Sequence, residues 1–362
     1  MALNGVATIR RYLAREIYKA TAFVLVAFLV LFAFFDLIGE LRDVGRAGYQ
    51  LAEAFAFVAL SLPGHVYELF PIAVLIGTLY VLAHLASNSE FTVMRTSGLS
   101  PAQAGITLAR TGLVFSLLIL LTGELVTPVA ERMAQRLRLM SMGSVVGTEF
   151  RTGIWVRSEG SYVNVARVTP DGAVHGVRLY QFDDDKRLLS ISDAKEGRYT
   201  GKGVWMLSGI VETHFSPQGA TVDHKAEMPW KSVLTPDVIT VLTVDPQKMS
   251  AWDLFDYTQH LSANKQNVVR YEIALWQKLA YPVAALVMMA LALPFGYLHV
   301  RHGGLGVKVF SGIMLGVMFD GLNTLFSNLG ILQNWPPAVS AWIPSTLFLL
   351  TAIVMMWWVE RR

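Results

Sequence analysis

The chain has 362 residues, of which 53% are hydrophobic and 16% charged, well short of the roughly 25% charged residues of soluble domains. That composition excludes a water-soluble globular protein and an intrinsically disordered one. The absence of cysteine excludes a disulfide scaffold, thiol catalysis and iron–sulfur chemistry. The net charge of +3 is not gathered into one patch, so nothing points to nucleic acid, whereas a membrane protein with basic cytoplasmic edges fits.

A membrane-crossing helix needs roughly 20 mostly apolar residues, and six runs meet that measure. The first follows Lys19 as ATAFVLVAFLVLFAFF, reaching Asp36 with LIG beyond; no small-x-small cleavage site follows, so it reads as a retained signal anchor. The second is centred on Phe70 to Ala86, behind a proline-interrupted apolar lead-in, AFAFVALSLPGHVYEL. The third covers Pro101 to Thr127, with Arg110 near its start and Glu124 near its end. The fourth is predicted from Leu279 to Val300, between Lys278 and Arg301, the fifth from Val309 to Leu329, and the sixth from Trp342 to Val359. Pro336 and Pro337 separate the last two.

Orientation follows from lysine and arginine in short flanks. Arg10, Arg11, Arg15 and Lys19 precede the first span, Arg301 and Lys308 lie between the fourth and fifth, and Arg361 and Arg362 end the chain. Both termini are therefore expected in the cytoplasm. Three units result: residues 1–127 with three spans, an external insertion over 128–263, and residues 264–362 with three more.

The insertion reads as β. SYVNVARV, GVRLYQF, GVWMLSGIVETHF and DVITVLTV are β-branched and aromatic runs, punctuated by TPDG, DDDK, SPQG and TPD. Trp205, Leu207, Val211 and Phe215 are expected on one face at period two. An antiparallel sandwich or open jelly roll with that face inside, or a groove for an acyl chain, both suit the pattern.

No catalytic constellation is present. Gly201-Lys202-Gly203 is the nearest fragment to a phosphate loop and lacks the hydroxyl residue, so any ATP must be bound by another chain. There is no H-E-x-x-H or G-x-S-x-G, and no histidine pair has metal-ligand spacing on one helix. His65 and His84 fall in the membrane and read as hydrogen-bonded or interfacial. No metal or cofactor is expected. Between the second and third spans, HLASNSEFTVMRTSGLSPAQ reads as a short cytoplasmic helix over about 86–98, with Ser87, Asn88 and Ser89 offering N-cap oxygens and Gly98 closing it.

Here the chain resembles the lipopolysaccharide export permeases. The matching stretches are RRYLAREI, PIAVLIGTLYVLAHLASNSEFTVMRTSGLS, GIWVRSEGSYVNVARV and LWQKLAYPVAALVMMALALPFGYLHVRHGGLGVKVFSGIMLG, and the likeness covers essentially the whole chain. It implies an α-helical membrane protein of six spans with a periplasmic all-β jelly-roll-like domain between helices 3 and 4. It further implies a non-catalytic subunit of an ABC transporter in the Gram-negative inner membrane, paired with the LptF paralogue, two copies of the ATPase LptB, and LptC. The substrate would be lipopolysaccharide, taken from the outer leaflet toward the outer membrane.

The resemblance assigns the coupling helix to the ATPase contact, with Glu90, Met94 and Arg95 as its residues. Arginine matches phosphate oxygens bidentately, so Arg42 and Arg46 beyond the first span and Arg132, Arg136 and Arg138 beyond the third are expected to meet the substrate's phosphates. The resemblance implies several lysines near this level, where this sequence has Arg42 and Arg46 but also Asp36, Glu40 and Asp43. Asp320 lies about 12 residues past Lys308, or roughly 18 Å into the fifth span, with Asn323 on the same face; a carboxylate at that depth is costly and marks function or pairing. The resemblance places Asp36, Asp320 and Asn323 at a gate or cavity. A force-transmitting assembly factor and a lipid-modifying enzyme are the readings from other classes. The first would not require a charged cavity mouth, and the second lacks its catalytic group.

Overall fold

The computed structural model describes residues 2–45, 48–98, 100–142, 153–158, 161–169, 172–183, 187–201, 203–216, 219–232, 245–263, 267–297 and 305–361. Helix α1 spans Ala2–Leu41, α2 Leu51–Ser87, α3 Glu90–Thr96 and α4 Pro101–Leu121. A π-helical turn, Thr122–Val126, joins α4 to α5, Thr127–Met142. After the sheet come a 3₁₀ turn at Pro246–Lys248, α6 Ala251–Ala263, α7 Val269–Tyr297, α8 Leu305–Gln333 and α9 Pro337–Glu360. Six helical stretches are long and apolar enough to cross a bilayer: Thr8–Leu41, Leu51–Ser87, Ala102–Arg138, Val269–Tyr297, Gly306–Gln333 and Pro337–Val359. The expected six-span architecture with an inserted β domain is the one observed.

Local chemistry sets the helix starts. The Ser100 hydroxyl accepts from Gln103 N–H at 3.2 Å ahead of Pro101, a capped start with proline in the first turn. Glu53 accepts from Gln50 N–H at 2.7 Å at the head of α2. The helices run longer than the apolar runs suggested. Pro63 and Pro71 lie inside an unbroken α2, since neighbouring helices satisfy freed backbone groups in a membrane bundle. The fourth span starts at Val269, which puts Lys278 inside it rather than at its edge.

One apolar core runs through the bundle, built on Leu75, Leu79 and Leu82 of α2, Leu108 and Phe115 of α4, Met288 and Leu291 of α7, Phe319 of α8 and Phe348 of α9. Close backbone contact replaces hydrophobic sorting between membrane helices. At Gly77 a side chain would fall 2.7 Å from the backbone nitrogen of Thr21, so this glycine sets the α1–α2 crossing.

The insertion contains one six-stranded antiparallel sheet in consecutive order: β1 Ile154–Ser158, β2 Ser161–Val168, β3 Val174–Phe182, β4 Leu188–Gly201, β5 Val204–Ser216 and β6 Gly219–Lys231. Among the described residues it is a meander; the DVITVLTV run lies outside them. Trp205 and Leu207 are fully buried, with Val163, Val165, Val174, Val177, Leu179, Ala194, Ile210 and Trp230. The expected face does not continue to Val211 and Phe215, which are exposed. The register places Gly176 and Gly209 opposite Lys195 in one cross-strand row, with φ of 64° and 63°. This left-handed backbone costs other residues roughly 1–2 kcal/mol. The burial alternation reverses across that row, so Ile210 and Glu212 turn inward beyond it. Glu212 then pairs with Lys225, which holds its carboxyl below the usual glutamate range.

The lysine and arginine asymmetry predicts the sheet outside and the α3–α4 turn inside. In this cysteine-free chain, a Thr221→Cys variant on β6 should react with a membrane-impermeant maleimide in intact spheroplasts. A Ser97→Cys variant should react only after lysis. The opposite pattern would overturn the orientation.

Candidate functional site

The site lies where the outer ends of the spans meet, and its base is a buried cation. Lys278 of α7 is 6% exposed. Its ammonium donates to the Gly123 carbonyl at 2.8 Å and lies 4.4 Å from the centre of the Tyr67 ring. Gly123 belongs to the π turn, where the widened helix offers carbonyls outward. Tyr67 presses on that turn so closely that a side chain at Gly123 would fall 2.5 Å from its ring. Next in the same turn, Glu124 accepts from the Ala251 N–H at 2.8 Å and so caps α6. The Tyr281 hydroxyl donates to the Glu68 carbonyl at 2.6 Å, joining α7 to α2.

A cavity of about 270 Å³ opens beside this floor, lined by Glu68, Lys278, Tyr281, Asp320, Asn323 and Ser345 among others. Asp320 and Asn323 of α8 thus share one wall, as their spacing predicted. Asp320 makes no ion pair among the described residues, and Glu68 is the second carboxylate of the cavity.

Glu68 connects the cavity to α1. His65 Nε2 lies 2.6 Å from Asp36 Oδ2, and its Nδ1 lies 3.7 Å from Glu68 Oε2. Asp36 is therefore held by α2. His65 was legible in the sequence as a hydrogen-bonded membrane histidine, but its partner, 29 residues away, was not.

Farther out the two helix ends are braced by arginine. Arg138 of α5 lies 3.5 Å from Glu40 and 3.2 Å from Asp43, with its guanidinium 5.2 Å from the centre of the Phe57 ring. The Tyr49 hydroxyl donates to Glu40 at 2.8 Å, and burial together with that carboxylate pushes its phenol above the usual tyrosine range, so it stays a neutral donor. Arg132 lies 3.9 Å from Asp253 and donates to the Pro128 carbonyl, and Lys248 lies 3.5 Å from Glu131. Arg42 and Arg136 are exposed and make no ion pair among the described residues. Arg46 lies outside the described residues. Arg138 thus bridges two of the acids at the outer end of the first span, Glu40 and Asp43.

At the opposite end of the spans α3 is fixed to the bundle by Phe91, 2% exposed, and Met94, 8% exposed. The Phe91 ring meets Tyr297 of α7 edge-on at 5.1 Å. Glu90 accepts a hydrogen bond from the Tyr12 hydroxyl of α1 at 3.3 Å. Arg95 is on the helix, its side chain outside the described set. The expected N-cap side chains turn back instead: Ser87 donates to the His84 carbonyl and Asn88 meets the His84 ring.

A polar, charge-lined cavity among six apolar spans, with a sheet inserted between the third and fourth and a short packed helix between the second and third, marks a multi-pass membrane protein. The family model described as lipopolysaccharide export system permease LptF/LptG matches residues 11–358, and the chain belongs to this family of lipopolysaccharide export permease subunits. It is 31% identical over 356 residues to the lipopolysaccharide export system permease protein LptG of Escherichia coli strain K12, covering 97% of this chain and 98% of that one. It is 30% identical over 359 residues to LptG of Haemophilus influenzae, covering 98% of each.

Three variants separate the braces from the open arginines. Lys278→Met leaves the buried Gly123 carbonyl unpaired and should cost about 1–3 kcal/mol, read as a lower melting temperature of the purified complex. Arg138→Ala should also lower it, by exposing the Glu40 and Asp43 charges to each other, whereas Arg136→Ala should leave it unchanged within about 0.5 kcal/mol.

Proposed function

We propose that this chain moves lipopolysaccharide out of the outer leaflet of the inner membrane and toward a periplasmic acceptor. It does so as the permease half that pairs with the LptF paralogue, with an LptB ATPase dimer below and LptC alongside. The observation that carries the reading is mechanical: α3 is packed into the ends of α2 and α7 and hydrogen-bonded to α1 through Glu90 and Tyr12. A push on α3 therefore reaches α1 directly, and α1 carries Asp36 and Glu40 at its other end. Glu90, Met94 and Arg95 are the residues proposed to meet the ATPase.

At the outer end, phosphates are proposed to meet the exposed Arg42 and Arg136, together with Arg132. Arg138 is assigned to positioning α1, because two carboxylates already hold it. Asp320 and Asn323 are proposed to line the path on the α8 side. The acyl chains would stay below this ring, among apolar walls, while the headgroup stands at the arginines.

Loss of a desolvated charged partner typically costs about 2–5 kcal/mol. Glu90→Ala should therefore lose ATPase stimulation and export in reconstituted vesicles, while Tyr12→Phe should keep the ATPase bound but weaken export. Normal export by Glu90→Ala would refute the coupling role. Photo-crosslinking to lipopolysaccharide should succeed from 42 and 136 and be weaker from 138; absence of adducts at all of 42, 132, 136 and 138 would refute the phosphate path.

A further inference from the structure

Helix α6 carries aromatic side chains that neither the bundle nor the sheet covers. Trp252 is 77% exposed and Phe255 48% exposed. The opposite face, Leu254, Tyr257 and Leu261, is buried against Val268 and, on α7, Tyr271 and Ala274. Both faces of this helix are therefore apolar at its start, which is unusual for a helix in water. The exposed stripe changes along the axis: Trp252 and Phe255 are followed by Gln259 and Ser262 at the same spacing.

The start of α6 has a known level. Its first N–H is held by Glu124. On the third span, Arg110 and Glu131 bracket a run interrupted by no charge except Glu124, about 31 Å long at 1.5 Å per residue. Glu124 lies seven residues, about 10 Å, below Glu131, in the outer third of that run and at the roughly 5–10 Å depth to which an interfacial helix buries its apolar face. The surface around it is apolar and uncovered: Leu125, Val126, Val129 and Met133 on the third span, and Trp276 and Leu279 on the fourth. Five residues separate α6 from α7, so the two fold back antiparallel and Trp252 returns toward the level of Trp276.

We propose that α6 is an interfacial helix whose first turn is immersed in the phospholipid of the outer leaflet. Trp252 and Phe255 are its anchors and Trp276 extends the belt. The occupant of this face is lipid rather than protein because the patch is continuous with the bilayer-facing surface of the third and fourth spans. Its polarity also rises along α6 in the direction that leads out of the membrane. Tryptophan in such a belt places its ring at headgroup level. The consequence is that the last element before the fourth span is tied both to the π turn and to the membrane surface.

The test is site-directed spin labelling of the full chain, assembled with its partner subunits in phosphatidylethanolamine/phosphatidylglycerol nanodiscs. Labels are placed singly at Trp252→Cys, Phe255→Cys, Gln259→Cys and Ser262→Cys, with Thr221→Cys as the water-exposed reference. The expected result is oxygen accessibility several-fold above that of a water-soluble nickel chelate at 252 and 255, and the reverse at 259, 262 and 221. Nickel accessibility at 255 equal to that at 221 would overturn the proposal. Labels at 252 and 255 shielded from both reagents would also overturn it, by showing a protein partner on this face. If Trp252→Cys fails to assemble, Phe255→Cys decides the matter alone.

Discussion

The ammonium of Lys278 on the carbonyl of Gly123 is the contact on which the outer half of the bundle depends. A lysine in a membrane span is expensive unless its charge finds acceptors. Here the third span supplies one by widening into a π turn, and Tyr67 of the second span covers the charge with its ring. Three spans are thus fixed to one another at one point. The same turn presents Glu124 to the first N–H of α6, so a single irregularity in the third span positions both the fourth span and the element that leads into it.

The charges above that point are arranged in pairs that cross between helices: Asp36 with His65, Glu40 and Asp43 with Arg138, Glu131 with Lys248, Arg132 with Asp253. Each joins elements far apart in sequence. Partly exposed pairs contribute modestly to stability, so their value here is geometric. They hold the outer ends of α1, α2 and α5 in register, while Asp320 lines the cavity and Arg42 and Arg136 stay exposed without an ion pair among the described residues. In the sheet, the row of Gly176 and Gly209 performs a comparable service: by reversing the alternation it lets both halves of long strands feed one core.

The path from α3 to the outer mouth is short in structural terms. Phe91 and Met94 are buried in the bundle's own core, so α3 cannot move independently of α2 and α7. The hydrogen bond from Tyr12 to Glu90 adds α1. Tyr12 shares one continuous helix with Asp36 and Glu40, so the contact at α3 and the pairs at the far end of α1 belong to the same element.

The sequence by itself determined the number of spans and the position of the inserted β segment, because hydrocarbon thickness imposes a length and composition that can be read locally. It also marked Glu90, Asp320 and the arginines as candidates, since charge next to an apolar run is conspicuous. It placed the fourth span's boundary at Lys278 for the same reason, and this was where local reading failed: an edge lysine and a buried, bonded one look alike without the carbonyl that receives them. Only the tertiary structure decided that Lys278 lies inside the helix, that Arg138 is committed to Glu40 and Asp43, that His65 meets Asp36, and that Val211 and Phe215 face outward. Each of these depends on a partner or a backbone angle set by packing between distant segments, and no local pattern of residues encodes which distant group will arrive.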